Sequence, residues 1–253
     1  MLSIALLGGC SGCPQQAVPV ETESKPAQLV DATAVIPAKP LRLRALFTDK
    51  LDAVNWGSWV HNLAKDKSRL TPGAGGLYID LETYGRAADE VSVVALAWKE
   101  PIDFLGGPQT VTVALDWLED SNASYLSAGL ALIPEDAPLR GDPRDLTDVS
   151  HVSFIGAGMG AHARRELLVQ RHGQEAFRDT EGWPEVGREG RKLATAELKL
   201  TIDGQSIRLE EAGRDAVTAP TGLGFARGRL VLFVASHSNS MRRAVRFTKL
   251  ELR

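Results

Sequence analysis

Strict alternation of apolar and polar residues is the feature that most constrains this chain. Thr110-Val111-Thr112-Val113-Ala114-Leu115-Asp116-Trp117 places Val111, Val113, Leu115 and Trp117 on one side of an extended backbone, the period of a strand with one buried face. Lys192 to Asp203 repeats it, with Ala196, Leu198, Leu200 and Ile202 opposite Thr195, Glu197, Lys199 and Thr201. Asp203-Gly204 then offers the positive φ that a tight turn uses, and Ser206 to Glu210 returns. Tyr125 to Ile133 puts Leu126, Ala128, Leu130 and Leu132 on one face; with Asp120-Ser121-Asn122 as turn residues it reads as a hairpin partner of 110–117.

Further strands are expected at Arg42 to Phe47, Gly76 to Leu81, Val91 to Trp98, Ser150 to Ile155 and Glu166 to Arg171. Arg229 to Ser236 is apolar on both sides, as in a strand covered by a second layer. Ala244 to Leu252 changes parity near Thr248-Lys249, which marks a bulge. Helical signals are few: Asp49 to Val54 and Asp142 to Asp148 are at most single turns. Short strands without a helix for a βαβ crossover predict an all-β chain of two antiparallel sheets packed face to face.

The N-terminus is organised differently. Met1 to Leu7 is a short apolar run closing on Leu7-Gly8-Gly9-Cys10, which resembles a bacterial lipobox. The resemblance implies cleavage before Cys10 and acylation of that residue, and several acyl chains on one residue hold a protein stably at a bilayer. Five prolines between Pro14 and Pro40 fix φ and remove donors, so this segment is expected to be a disordered spacer. The expected organisation is a signal peptide over 1–9, a lipidated Cys10 and spacer over 10–40, and a β-sandwich over 41–253. The location implied is the bacterial cell envelope, with the membrane as a partner through the lipid. Cys10 and Cys13 are the only cysteines, too few for a zinc site of about four ligands. With 29 basic and 32 acidic side chains and no basic cluster interleaved with aromatics, nucleic acid is not an expected partner.

The body carries a second resemblance. Asn55-Trp56-Gly57-Ser58-Trp59, Gly76-Leu77-Tyr78-Ile79, Ala128-Gly129-Leu130-Ala131-Leu132, Glu197-Leu198-Lys199-Leu200, Gly222-Leu223-Gly224-Phe225, the run from Gly228 to Ser238 and the last strand from Val245 to Leu252 together resemble the concanavalin A-like lectin/glucanase jelly roll. The form is that of bacterial laminarin-type sugar-binding and family 16 hydrolase domains, over about Leu41 to Arg253. The resemblance implies a carbohydrate ligand on one sheet. The Glu-x-Asp-x-x-Glu motif of the family's enzymes is absent from the sequence, so the expectation is a non-catalytic lectin-like module. A hydrolase or lyase of this fold, or a structural partner-binding lipoprotein, stays open.

Asp80 and Glu82 share one strand face with Tyr78 and Tyr84; they are the remaining carboxylate pair for a glycosidase, which needs two carboxyl groups roughly 5–5.5 Å apart for retention. Asp116 lacks such a partner. Sugar rings stack on aromatic faces, and Tyr84, Trp98 and Trp183 are the expected ligand-contacting rings, the last in the loop-like Glu181-Gly182-Trp183-Pro184-Glu185. Gly156-Ala157-Gly158-Met159-Gly160 reads as a loop between strands rather than a phosphate cradle. The five histidines show no metal-ligand spacing, so neither a metal nor a cofactor is expected. Ser236 and His237, adjacent on a strand, point to opposite faces and do not form a nucleophile–base pair.

The lipobox reading has a direct consequence. Cys10→Ala is expected to move the protein from the membrane fraction to the soluble fraction and to remove the acyl mass from its N-terminal peptide. Sedimentation with membranes unchanged in the variant counts against it.

Overall fold

A computed structural model describes residues 55–63, 67–73, 75–83, 91–117, 126–156, 163–183, 196–237 and 242–253. The strands are β1 (Trp56–His61), β2 (Ser68–Gly73), β3 (Gly76–Glu82), β4 (Ser92–Trp98), β5 (Ile102–Asp103), β6 (Gln109–Trp117), β7 (Leu126–Pro134), β8 (Val149–Ile155), β9 (Ala163–Arg171), β10 (Gln174–Trp183), β11 (Ala196–Ile202), β12 (Ile207–Glu211), β13 (Val217–Ala219), β14 (Arg227–Ser236) and β15 (Arg242–Leu252). They form two antiparallel sheets. The first runs β1-β4-β14-β7-β8-β9-β10, with β5 beside β14; the second runs β13-β12-β11-β6-β15-β3-β2. The all-β, two-sheet expectation holds.

Alternation decides which atoms enter the interior. Val111, Val113 and Leu115 of β6, Leu198, Leu200 and Ile202 of β11, and Leu77, Ile79 and Leu81 of β3 meet Leu126, Leu130 and Leu132 of β7, Leu230, Leu232 and Val234 of β14, and Val152 and Phe154 of β8 in one buried cluster. At about 25 cal/mol per Å² of apolar surface removed from water, this layer is the main source of stability. The parity change in β15 is where the sequence places it: pairing with β6 shifts register between Phe247 and Lys249.

Two expectations need correction. β6 and β7 are not a hairpin: β6 pairs with β11 and β15, and β7 with β14 and β8, so consecutive strands belong to opposite sheets. Both have one apolar face directed inward, and alternation cannot tell whether two such faces lie side by side or against each other. Glu181 to Trp183 is the end of β10 rather than a loop. The signal over 142–148 is, as expected, no more than a single turn: a 3-10 turn, Pro143–Asp145, capped by the Asp142 side chain, which accepts from Arg144 N. Arg42 to Phe47, Asp49 to Val54, Cys10 and the spacer lie outside the described residues.

Among the described residues, one charged side chain lies wholly inside. Arg165 of β9, 0% exposed, donates to Asp179 of β10 at 2.8 Å and to Glu211 of β12 at 3.3 Å, and Arg214 approaches Glu211 at 3.5 Å and Glu181 at 3.0 Å. The network joins the margin of the first sheet to β12 of the second.

Backbone packing is tightest at Gly129 of β7. A Cβ there would lie 2.1 Å from the Val152 carbonyl oxygen and 2.8 Å from Ser153 Cα, both main-chain atoms that cannot rotate aside. Gly129→Ala is therefore expected to force β7 and β8 apart and cost about 2 kcal/mol or more, a fall of roughly 4–8 °C in thermal midpoint for a domain of this size. Calorimetry checks it.

Candidate functional site

The two outward faces of the sandwich differ in chemistry. On the second sheet, outward residues form cross-strand ion pairs: Lys199 with Glu210 at 2.7 Å, Lys249 with Glu197 at 3.1 Å and Arg246 with Asp116 at 2.5 Å. Arg246 also donates to the Tyr78 hydroxyl at 3.2 Å and lies over its ring. The sequence-expected carboxylates are here. Tyr78, Asp80 and Glu82 share the outward side of β3, as alternation requires, but Glu82 accepts from Lys67 at 2.9 Å and Asp80 lies opposite Arg69 in register. This is a solvated face of matched charges. Exposed pairs of this kind contribute about 0.2–1 kcal/mol each.

The outward face of the first sheet is apolar and covered. Val93, Ala95 and Ala97 of β4, Val231, Phe233 and Ala235 of β14, Ala131 and Ile133 of β7, and Val149 of β8 form a second buried cluster, against which Trp59, Ala137, Leu139 and Leu146 pack. Three of these covering residues belong to the connection 135–148. Its 3-10 turn sits on β7 and β8. Trp59 Nε1 donates to the Gly141 carbonyl at 2.8 Å, and the Arg144 guanidinium lies 5.3 Å above the Phe233 ring, close enough for a cation–π contact.

Beneath this strap lie polar groups that sequence reasoning passed over. His151, 3% exposed, and the fully buried Ser153 occupy successive outward positions of β8, and neither His151 Nδ1 nor Ser153 Oγ has a hydrogen-bond partner. The His151 ring meets Phe233 edge-on at 6.3 Å. Burial, reinforced by the Arg144 charge and opposed by Asp142, lowers the His151 pKa to about 3, so the imidazole is neutral at physiological pH. Asp142 behaves oppositely: burial raises its pKa, but the hydrogen bonds and charge of Arg144 outweigh that and hold it below the usual carboxylate range. Its two oxygens accept from Arg144 N at 2.9 Å, Nε at 2.9 and 3.1 Å, and Nη2 at 2.6 Å. Glu166, opposite Ser153 on β9, is held by Arg178 at 2.6 Å.

This arrangement supplies apolar surface, an unpaired nitrogen of a neutral imidazole and a hydroxyl. It lacks an activated nucleophile, since Ser153 Oγ makes no hydrogen bond to His151, and the nearby carboxylates Asp142 and Glu166 are each locked to an arginine. The outward side of β8 alternates Val149, His151 and Ser153, a polar-small pattern visible in the sequence, but only the strap shows that these residues are buried.

The expected rings separate. Trp98 is a core residue, 7% exposed, its ring edge-on to Trp56 at 5.2 Å and 75°; it points inward from β4 and is not placed to stack on a sugar. Trp183 closes β10, the edge strand of the first sheet, opposite Ala163. Tyr84 lies outside the described residues. Ser236 is buried at the end of β14 and His237 follows it, exposed, so adjacency does not make them a pair. β8 and β9 are antiparallel neighbours; of the glycine run, Ala157 to Gly160 lies outside the described residues. Among the described residues no cluster of His, Cys, Asp and Glu has metal-binding geometry.

No family model and no curated protein sequence matches the chain. Solved structures do. The carbohydrate recognition domain of Emp46p, in its metal-free form, superposes with a TM-score of 0.56 at 10% identity, covering 84% of this chain and 95% of that one. A β-1,3-1,4-glucanase (lichenase) derived from a mouse hindgut metagenome gives 0.53 at 8%, covering 81% and 95%. A product complex of the family 7 alginate lyase A1-II′ gives 0.51 at 10%, covering 79% and 94%. The fold is the concanavalin A-like jelly roll.

Neutral burial of His151 has a measurable effect. Below pH 6.5 the unfolded chain protonates this imidazole, whereas the folded chain does so only near pH 3, so His151 subtracts stability as pH falls from 6.5 toward 3 and nothing above 6.5. The slope is about 1.4 kcal/mol per pH unit. In urea titrations, His151→Gln is expected to lose about 2–3 kcal/mol less than the unaltered protein between pH 7 and 4.5. Equal losses would mean that His151 titrates freely.

Proposed function

We propose that this protein is a lipid-anchored β-sandwich of the bacterial cell envelope that binds a glycan without cleaving it. The observation that carries the reading is the chemistry of the first sheet's outward face: aromatic and apolar surface with neutral hydrogen-bonding groups, and with Asp142 and Glu166 neutralised by arginines. Such a face suits the apolar C–H surfaces and hydroxyls of a sugar. It lies in a fold shared with a carbohydrate recognition domain. Membrane attachment rests on Leu7-Gly8-Gly9-Cys10 and the proline-rich segment that follows.

The likeness to a glucanase and an alginate lyase favours a second reading equally on fold alone, that of a hydrolase or lyase. Asp80 and Glu82 are its candidates. Their cationic neighbours Lys67 and Arg69 and their position on the charge-paired face weigh against it.

Calorimetric titration of the protein with mixed-linkage β-1,3-1,4-glucan and with alginate separates the two. Binding without release of reducing or unsaturated ends is expected, and Trp183→Ala is expected to weaken it several-fold, since a stacked ring contributes on the order of 1 kcal/mol beyond its area, with the thermal midpoint nearly unchanged. Chain cleavage that disappears in Asp80→Asn or Glu82→Gln would move the protein to the enzyme reading.

A further inference from the structure

The connection 135–148 is far longer than its task requires. β7 and β8 are antiparallel neighbours, which two to five residues can join. Here the chain folds back over the outward face of its own sheet. Its middle is held mostly by internal hydrogen bonds, Arg140 N to Pro138 O and Asp145 N to Asp142 O, while its ends are tied to their surroundings: Ala137 N to Pro134 O of β7, Glu135 N to Arg227 O of β14, and Gly173 N to Thr147 O with His172 N to Asp148 Oδ1 after β9. The Asp142–Arg144 pair is likewise contained within it. Among the described residues, the middle of this connection is tied to the sheet by one hydrogen bond, Trp59 Nε1 to Gly141 O, together with the Arg144–Phe233 contact and the packing of Leu139 and Leu146. Gly141 holds φ at +71° with nothing within 4 Å of a would-be Cβ.

The closed arrangement is self-contained as a segment and lightly attached to what it covers. It is also unsatisfied beneath. His151 Nδ1 lies under the turn and Ser153 Oγ next along the same face, both more than nine-tenths buried and both without a partner. A buried polar atom left unpaired is costly, so the closed state carries a penalty that an incoming hydroxyl would remove.

We propose that residues 135–148 are a lid over a ligand subsite, and that lifting it presents His151, Ser153 and the Phe233 ring to a polyhydroxylated ligand. The subsite takes a sugar residue: the ring edge and face of Phe233 meet C–H groups, the neutral imidazole accepts from one hydroxyl, and Ser153 donates to or accepts from another. This deepens the glycan reading and rests on it for the ligand's identity. The movement of the lid does not rest on it. Trp59, on β1 at the sheet's edge strand, acts as the latch.

Amide hydrogen exchange on the full chain, with and without mixed-linkage β-1,3-1,4-glucan or alginate, tests both parts. Trp59→Phe keeps an aromatic ring and removes the latch hydrogen bond; Gly141→Ala strains the lid from within, since a side chain is disfavoured at that φ. Each is expected to speed exchange of amides in 139–146 about fivefold, the effect of one typical hydrogen bond, while amides of β8 and β14 stay protected. Either glycan, once bound, is expected to change exchange in 139–146 and to bind less well to Ser153→Ala. If 139–146 exchanges only together with the core strands in all three proteins, the lid is overturned, and glycan binding found alongside would leave the broader reading intact. If both variants loosen 139–146 and neither glycan binds, the lid stands and the glycan reading fails.

Discussion

Everything in this molecule depends on two sheets sharing one dry interior. Each strand has a single inward side, and a charge placed there needs an opposing charge inside. Arg165 is the case that shows the rule. Its guanidinium is completely enclosed at the β9–β10 margin, and Asp179 from its own sheet with Glu211 from the other supply the opposing charge. Replacing such a pair with apolar groups is often harmless, whereas removing one member strands the other's charge. Burial raises the Glu211 pKa even though Arg165 and Arg214 pull it down, which measures how strongly this margin resists holding charge. The network also has a geometric consequence: it links β9 and β10 to β12 and so fixes how the sheets register at an end where the apolar side chains give way to exposed strand.

The same sandwich produces two unlike surfaces. On the second sheet the outward positions are Lys, Arg, Glu, Asp and Thr, matched across strands, and charge is the simplest protection for a face that meets water. On the first sheet the outward positions of β4, β14, β7 and β8 are Val, Ala, Gly, Phe, Ser and His. Those residues need cover, and the strap provides it. The asymmetry separates the two sets of candidate residues. Asp80 and Glu82 share their strand face, as the sequence requires, but that face is the ionic one, where each carboxylate has a cationic neighbour.

How much of this was legible beforehand follows from which signals are local. Alternation is local, and it located β3, β4, β6, β7, β8, β11, β12, β14 and β15 to within a few residues, along with the bulge at Phe247–Lys249. Pairing is not local. β6 and β7 have equivalent patterns and a plausible turn between them, yet they face one another across the core, because the interior side of a strand is the same whether its neighbour lies beside it or opposite it. β10 escaped because its alternation is built from Phe177, Asp179 and Arg178 rather than from aliphatic residues; its inward Asp179 serves Arg165. Trp98 is ambiguous in sequence for a related reason: a tryptophan at the end of a strand reads alike as a surface ring or as a core one, and its contact with Trp56 decides.

The site was the least legible part, and the reason lies in the connection between β7 and β8. His151 and Ser153 have the sequence signature of ordinary outward-facing polar residues, and on an open sheet they would be solvated. What buries them is a segment some ten residues away whose own sequence, Asp142-Pro143-Arg144-Asp145, announces only a capped turn. The cap has a second effect. By consuming the Asp142 carboxylate with Arg144, the turn presents a neutralised underside to the sheet, and Arg144 can rest on Phe233 without bringing a bare charge into an apolar layer. A free arginine there would demand water or an acid from the sheet, and a free aspartate would raise the pKa of His151 rather than leave it depressed. The internal ion pair thus lets the strap lie on a hydrophobic face while remaining a separate unit, which is the condition for covering that face without becoming a permanent part of the core.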